Sequence, residues 1–229
     1  MRSVMRLATI PIALLSLAGP ARADQIHIFN TGVDASGAPL SGGSADLHWS
    51  VVAGPGITST TPGQVLTSPN GLYATSADSQ WIWVNADGSG STDSPYTFRL
   101  TFDLTGLNAS TATISGSWGV DNEGVIQLNG ATPTGTGALS LTNFNDEGNF
   151  DFLNRFSIRG GFVAGVNTLD FLATDNENPG ALNVTALTGT AAAGAVPEPA
   201  SLLLLGAGSI GVLAFARRRQ VAAGGIRRG

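Results

Sequence analysis

The chain has 229 residues, eleven Lys plus Arg against sixteen Asp plus Glu, no cysteine, and a formal net charge of −5. Every cation is arginine and most lie at the two ends, so residues 24–195 hold fifteen acids against three arginines (Arg99, Arg155, Arg159), a net of −12. Such a surface repels phosphate backbones and excludes nucleic acid as a partner, and without cysteine no crosslink supports the fold.

The N-terminal segment reads as a processing signal. Arg2 and Arg6 precede an apolar run over residues 7–17, and Ala21-Arg22-Ala23 fits a small-x-small cleavage site. The run is shorter than the ~20 residues that span a bilayer. Residues 1–23 are therefore expected to be a secretory signal peptide, cut after Ala23. The body beyond it suits one domain, able to bury roughly two thirds of its unfolded surface without a metal or disulfide.

The body predicts strands and no amphipathic helix. In order, the candidates are QIHIFN (25–30), DLHWSVV (46–52), QWIWVN (80–85), YTFRLTFDL (96–104), TATISGSWGV (111–120), VIQLNG (125–130), RFSIRG (155–160), NTLDFLAT (167–174) and ALNVTALT (181–188). The clearest is the fourth. Tyr96, Phe98, Leu100, Phe102 and Leu104 alternate with Thr97, Arg99, Thr101, Asp103 and Thr105, the period of a strand with one buried face. Turn residues separate the candidates: Gly54-Pro55-Gly56, Asn70-Gly71, Asp87-Gly88, Asn129-Gly130 and Asn178-Pro179-Gly180. About nine short strands at this spacing predict an all-β, antiparallel β-sandwich over residues 24–188, with a jelly roll as the leading topology. LTGTAAAGAVPEP has no periodicity, so residues 189–195 are expected to form a flexible tether.

Residues that carry chemistry are sparse. His27 and His48 are the only histidines, each on a predicted strand, and without cysteine they make a poor transition-metal set. No G-x-S-x-G elbow, H-E-x-x-H pair or phosphate loop occurs, and nothing among the acids selects the carboxylate pair of a glycosidase. The body is expected to be non-enzymatic. Trp81 and Trp83 share one face of their strand, either as a platform that stacks on pyranose rings or as filling for a sandwich interior. NADGSGSTD (85–93) spaces Asn85, Asp87, Ser89 and Asp93 around Gly90 as the first half of a calcium loop does. Tyr96 stands where an EF-hand has its bidentate Glu, so a Ca2+ site of another kind and a solvated turn both stay open; TDNENPG (174–180) is a second cluster of hard oxygen ligands. In WGVDNEGVIQLNG (118–130), Asp121, Asn122 and Asn129 either face sugar hydroxyls at a sandwich rim or cap their own turns.

The C-terminal segment is the most specific. Residues 200–216 are seventeen uncharged residues between Pro197-Glu198-Pro199 and Arg217-Arg218-Arg219. As a helix they would reach ~25 Å, slightly short of the hydrocarbon core, and the three arginines predict a cytoplasmic C-terminus. A single transmembrane helix over residues 200–216 is expected, with residues 220–229 as a short cytoplasmic tail and the body outside the cytoplasmic membrane.

Pro-Glu-Pro, a short helix of small residues and leucine, then an arginine cluster closely resembles the PEP-CTERM sorting signal over residues 196–219. The resemblance implies handling by an exosortase-type membrane protease, with the protein anchored first and then placed at the cell surface, envelope or extracellular matrix. QVAAGGIRRG continues past the basic cluster, where that signal usually stops. SQWIWV, YTFRLTFDLTGL, TATISGSWGVDNEGVIQLNG and NTLDFLATDNENPGALNV together resemble PEP-CTERM-associated jelly-roll proteins with galactose-binding-like sandwiches. That implies a domain binding carbohydrate, either exopolysaccharide or another surface glycan. A structural surface or matrix protein with no specific small ligand is the alternative.

Overall fold

Apolar alternation becomes sheet most plainly at β5 (Tyr96–Asp103), where Tyr96, Phe98, Leu100 and Phe102 are buried and Thr101 and Asp103 are exposed. A computed structural model describes residues 23–142 and 149–194. Within them the other strands are β1 (Ala23–Gln25), β2 (Ala45–Ala53), β3 (Thr61–Val65), β4 (Ile82–Trp83), β6 (Thr113–Asp121), β7 (Glu123–Leu128), β8 (Thr134–Gly137), β9 (Ser140–Leu141), β10 (Asn154–Gly160), β11 (Val166–Thr174) and β12 (Ala181–Ala192). The expected signal peptide through Arg22, with Ala21, lies outside the described residues. So do the sorting segment with Pro197, Glu198, Pro199, Arg217, Arg218 and Arg219, the expected helix over 200–216 and the tail. Among the described residues no helix is long and apolar enough to cross a membrane.

Every strand pairing in the sheet is antiparallel. The hydrogen-bonded order is β8-β10-β6-β12-β4-β3-β2-β5-β11-β7-β9, with β1 added on β12. The pairs β4:β12, β5:β11, β6:β10 and β7:β9 nest inside one another, as in one long hairpin folded over. The β4:β12 contact is a single register pair, Leu182↔Ile82, so the sheet bends there into two wings.

Aromatic side chains join the wings. Phe171 of β11, fully buried, takes Trp118 of β6 at 5.1 Å and Phe156 of β10 at 6.0 Å from the opposite wing, and Trp49 of β2 at 5.4 Å from its own. Their edge-on angles suit the ring quadrupoles. The described residues thus form an all-β, sandwich-like antiparallel sheet with an aromatic centre.

Several boundaries differ from the sequence expectation. QIHIFN is strand only at Gln25. Beyond it β12 is irregular, with a register shift between Thr185 and Thr188 and Ala186 at φ 50°. Side chains take over part of the ladder there: Asn30 Oδ1 accepts from Leu187 N at 2.9 Å, and Thr31 Oγ1 accepts from Val184 N at 3.0 Å. QWIWVN shrinks to the two residues of β4. The tether expected over 189–195 is corrected in its first half. Residues 189–192 complete β12, Gly189 opposite Ile114 of β6 and residues 190–192 against β1 with Asp24 opposite Ala191, and Ala193 bridges to Leu107. Their buried members are Gly189 and Ala191, too small to register as apolar periodicity.

Candidate functional site

The tryptophan pair belongs to the core. Trp83 is fully buried against Tyr96 and Phe98, with ring centroids 5.5 and 5.4 Å away. Trp81 is 4% exposed, donates Nε1–H to Ala74 O at 2.8 Å, and lines a small cleft of about 270 Å³ beside Tyr73. No open stacking platform exists at these two residues.

The loop over 85–93 is turn chemistry. Asp87 Oδ1 accepts from Ser89 N at 2.9 Å and Ser89 Oγ at 2.6 Å, and the Ser89 hydroxyl holds the Asp87 carboxyl below its usual range. The same two-residue clasp recurs at Asp34 with Ser36, Asp103 with Thr105 and Asn108 with Ser110. Asn85 Nδ2 donates to Ser89 O at 3.0 Å, and Asp93 sits at φ 60° with its amide on Asp175 O. Among the described residues no group of three or more His, Cys, Asp or Glu side chains converges to hold a metal ion.

Asp121, Asn122 and Asn129 are also committed internally. Asn129 Nδ2 donates to Gly161 O and Asn167 Oδ1, both at 2.9 Å, and its Oδ1 accepts from Thr168 N. Asn122 Oδ1 accepts from Asn176 N at 3.0 Å, joining the β6–β7 turn to the β11–β12 loop. Tyr73 Oη lies 2.8 Å from both Asp121 Oδ2 and Pro179 O. The Tyr73 hydroxyl donates toward both acceptors, a three-centre arrangement that ties Asp121 to the β11–β12 loop.

Burial pushes the Asp121 carboxyl up to about 6, with the Tyr73 hydrogen bond pulling down and nearby Asp175 adding to the rise. Burial lifts Asp175 to about 6 as well, against amide bonds from Glu177 and Asn176 and helped by Asp93 and Glu177. Both acids hold protons more tightly folded than at their ordinary 3.8. The stability they contribute is full below that value and is lost as pH rises through about 6. The turn acids Asp34, Asp87 and Asp103 are held low and titrate beneath this window. Melting should therefore occur at a higher temperature near pH 5 than near pH 7.5, by roughly a few degrees. Asp121→Asn should flatten that slope and stabilise the protein at the higher pH. A melting temperature rising over the interval would contradict the protonated pair.

A further opening lies elsewhere. A groove of about 490 Å³ crosses the outer face of β2 and β5, lined by His27, Phe29, Leu47, His48, Ser50, Arg99 and Thr101 among others. His48 stacks on Phe29 at 3.6 Å and 6°, and His27 meets Phe29 edge-on at 4.6 Å. Asp46, 1% exposed, builds this wall. Its carboxylate accepts from Gly32 N at 2.6 Å, His48 N at 2.8 Å and Trp49 N at 3.1 Å, tying the segment after β1 to β2. Burial raises the Asp46 pKa while those three amides pull it down. Trp49, pointing into the core, fixes Phe29 by donating Nε1–H to its carbonyl at 3.0 Å.

Register places the remaining groups. Ser50 lies opposite Arg99 across β2:β5, and Asp170 lies opposite Arg99 across β5:β11. Arg99 Nε and Nη2 donate to Asp170 Oδ1 and Oδ2, both at 2.7 Å. The pair is lopsided, with the Arg99 side chain 36% exposed and that of Asp170 3%. Leu47 is 80% exposed at the rim. Aromatic rings, an exposed aliphatic and fixed donors around one groove suit a polyhydroxylated ligand with apolar C–H faces. The sequence marked Arg99 and Thr101 only as a polar strand face, and the two histidines only as a weak metal set. Alternation of His27 with Phe29 was the available signal.

Residues 195–219 match the family model described as the PEP-CTERM protein-sorting motif. No curated protein and no solved structure matches the chain. With Pro-Glu-Pro at its start and the arginine cluster at its end, the matched segment shows that the chain carries a PEP-CTERM sorting motif behind an all-β domain, the mark of an exported protein sorted by exosortase.

Proposed function

We propose that this is an envelope or matrix protein whose non-catalytic, jelly-roll sandwich of the galactose-binding-like kind binds a surface glycan. In this reading residues 200–216 hold it in the cytoplasmic membrane until exosortase acts. The nested strand pairs support the jelly roll, since the strands from β5 to β12 alternate between the two wings. The observation that carries the glycan reading is the groove over β2 and β5, which sets the rings of His27 and Phe29, from the segment after β1, beside His48 and Arg99 on the strands. A purely structural role is the alternative. It is favoured by the closed tryptophans and by the inward hydrogen bonds of Asp121, Asn122 and Asn129.

Binding of the full chain in detergent to immobilised polysaccharides tests this. Saturable binding is expected, weakened about tenfold by His27→Ala, whose exposed ring is outside the core. A folded protein that binds no polysaccharide leaves the structural role.

A further inference from the structure

We propose that the groove takes an acidic saccharide, one bearing a carboxylate, rather than a neutral one. This rests on the glycan reading of the same groove. Charge in the domain is sharply segregated. Residues 24–195 carry fifteen acids and three arginines, yet the titratable side chains lining the groove are His27, His48 and Arg99, with no carboxylate among them. Two acids beside those groups are occupied: Asp170 is closed on Arg99, and Asp46 on three backbone amides.

Arg99 supplies the specific recognition. Asp170 takes two of its five N–H donors, through Nε and Nη2. The Nη1–Nη2 edge is a second planar fork on a side chain that is 36% exposed and held rigid by the first. Two parallel N–H···O bonds to a carboxylate fit such a fork, whereas a single hydroxyl uses half of it. Phe29 and Leu47 offer apolar surface to the C–H face of the same sugar, and Thr101 a hydroxyl beside the fork. The lining of the groove itself presents no carboxylate to an anion, and exposed contacts of this kind weaken with salt.

The test compares oligogalacturonate with its methyl ester at equal length, binding each to the full chain in detergent at low and physiological salt. The acid should bind at least tenfold more tightly than the ester and lose that advantage as salt rises. Thr101→Glu, on an exposed position of β5, should weaken the acid at least tenfold more than it weakens the ester. His27→Glu repeats the comparison from another segment of the lining, its loss for the acid again exceeding its loss for the ester, should the first variant fail to fold. Equal affinity for acid and ester overturns the acidic class and leaves the glycan reading standing. A sulfated chain bound as tightly as the uronate overturns the carboxylate fork. Binding of neither galacturonate form, together with binding of a neutral polysaccharide, overturns the acidic class alone, and silence toward all polysaccharides overturns both readings.

Discussion

Replacing Phe171 by alanine should cost the domain about 3–5 kcal/mol, a large share of the ~5–15 kcal/mol that holds a domain together. Phe171 is fully buried and touches Trp49, Trp118 and Phe156, so it is where the two wings share one ring. Removing it loses burial and leaves a cavity that these large, strand-fixed rings cannot collapse into. Urea unfolding followed by fluorescence reads this directly, because all four tryptophans are buried. Phe152 is 64% exposed and serves as the control. Phe152→Ala should change stability by less than about 0.5 kcal/mol. Similar losses from both changes would mean that the wings do not meet at Phe171.

Arg99→Ala should have the second largest effect, about 2–4 kcal/mol, because it strands the Asp170 carboxylate in a site where only 3% of its side chain meets water. The loss falls toward the lower end of the range for a broken buried pair, since the Arg99 side is partly solvated and water can replace some of its bonds. The double change Arg99→Met with Asp170→Leu should recover most of the stability, having removed both charges. If the double variant is as unstable as the single, the pair contributes through shape and not through charge. Either variant should lose acidic saccharide, and the restored fold of the double separates that loss from unfolding.

The class of the fold was legible because β2, β5, β6, β7, β10, β11 and most of β12 announce themselves by alternation or by β-branched and aromatic runs. Strands β3, β8 and β9 were not. TPGQV and TGTG carry Pro, Gly and Thr, whose place in a sheet comes from the neighbours they pair with. The last residues of β12 bury glycine and alanine, which leave no hydrophobic signature. The candidate site fared worse for a related reason. Motif reading finds residues adjacent in sequence, and it pointed to Asp121 and Asn122, which bond across the fold to Tyr73 and Asn176, and to the loop over 85–93, where Asp87 and Ser89 close a local turn. The groove gathers His27, His48 and Arg99 from three segments, and only cross-strand register and the Asp46 clasp bring them together. The sorting motif was readable in full because its three parts are contiguous and need no fold.

The most direct measurement uses the fact that His27 and His48 are the chain's only histidines, so its imidazole NMR spectrum holds signals from two rings, both in the groove. Titrating the full chain in detergent with a bound polysaccharide fragment should shift both sets of signals, saturating at the same concentration as the binding isotherm. Measurable binding that leaves both rings unmoved would place the ligand elsewhere and contradict the groove.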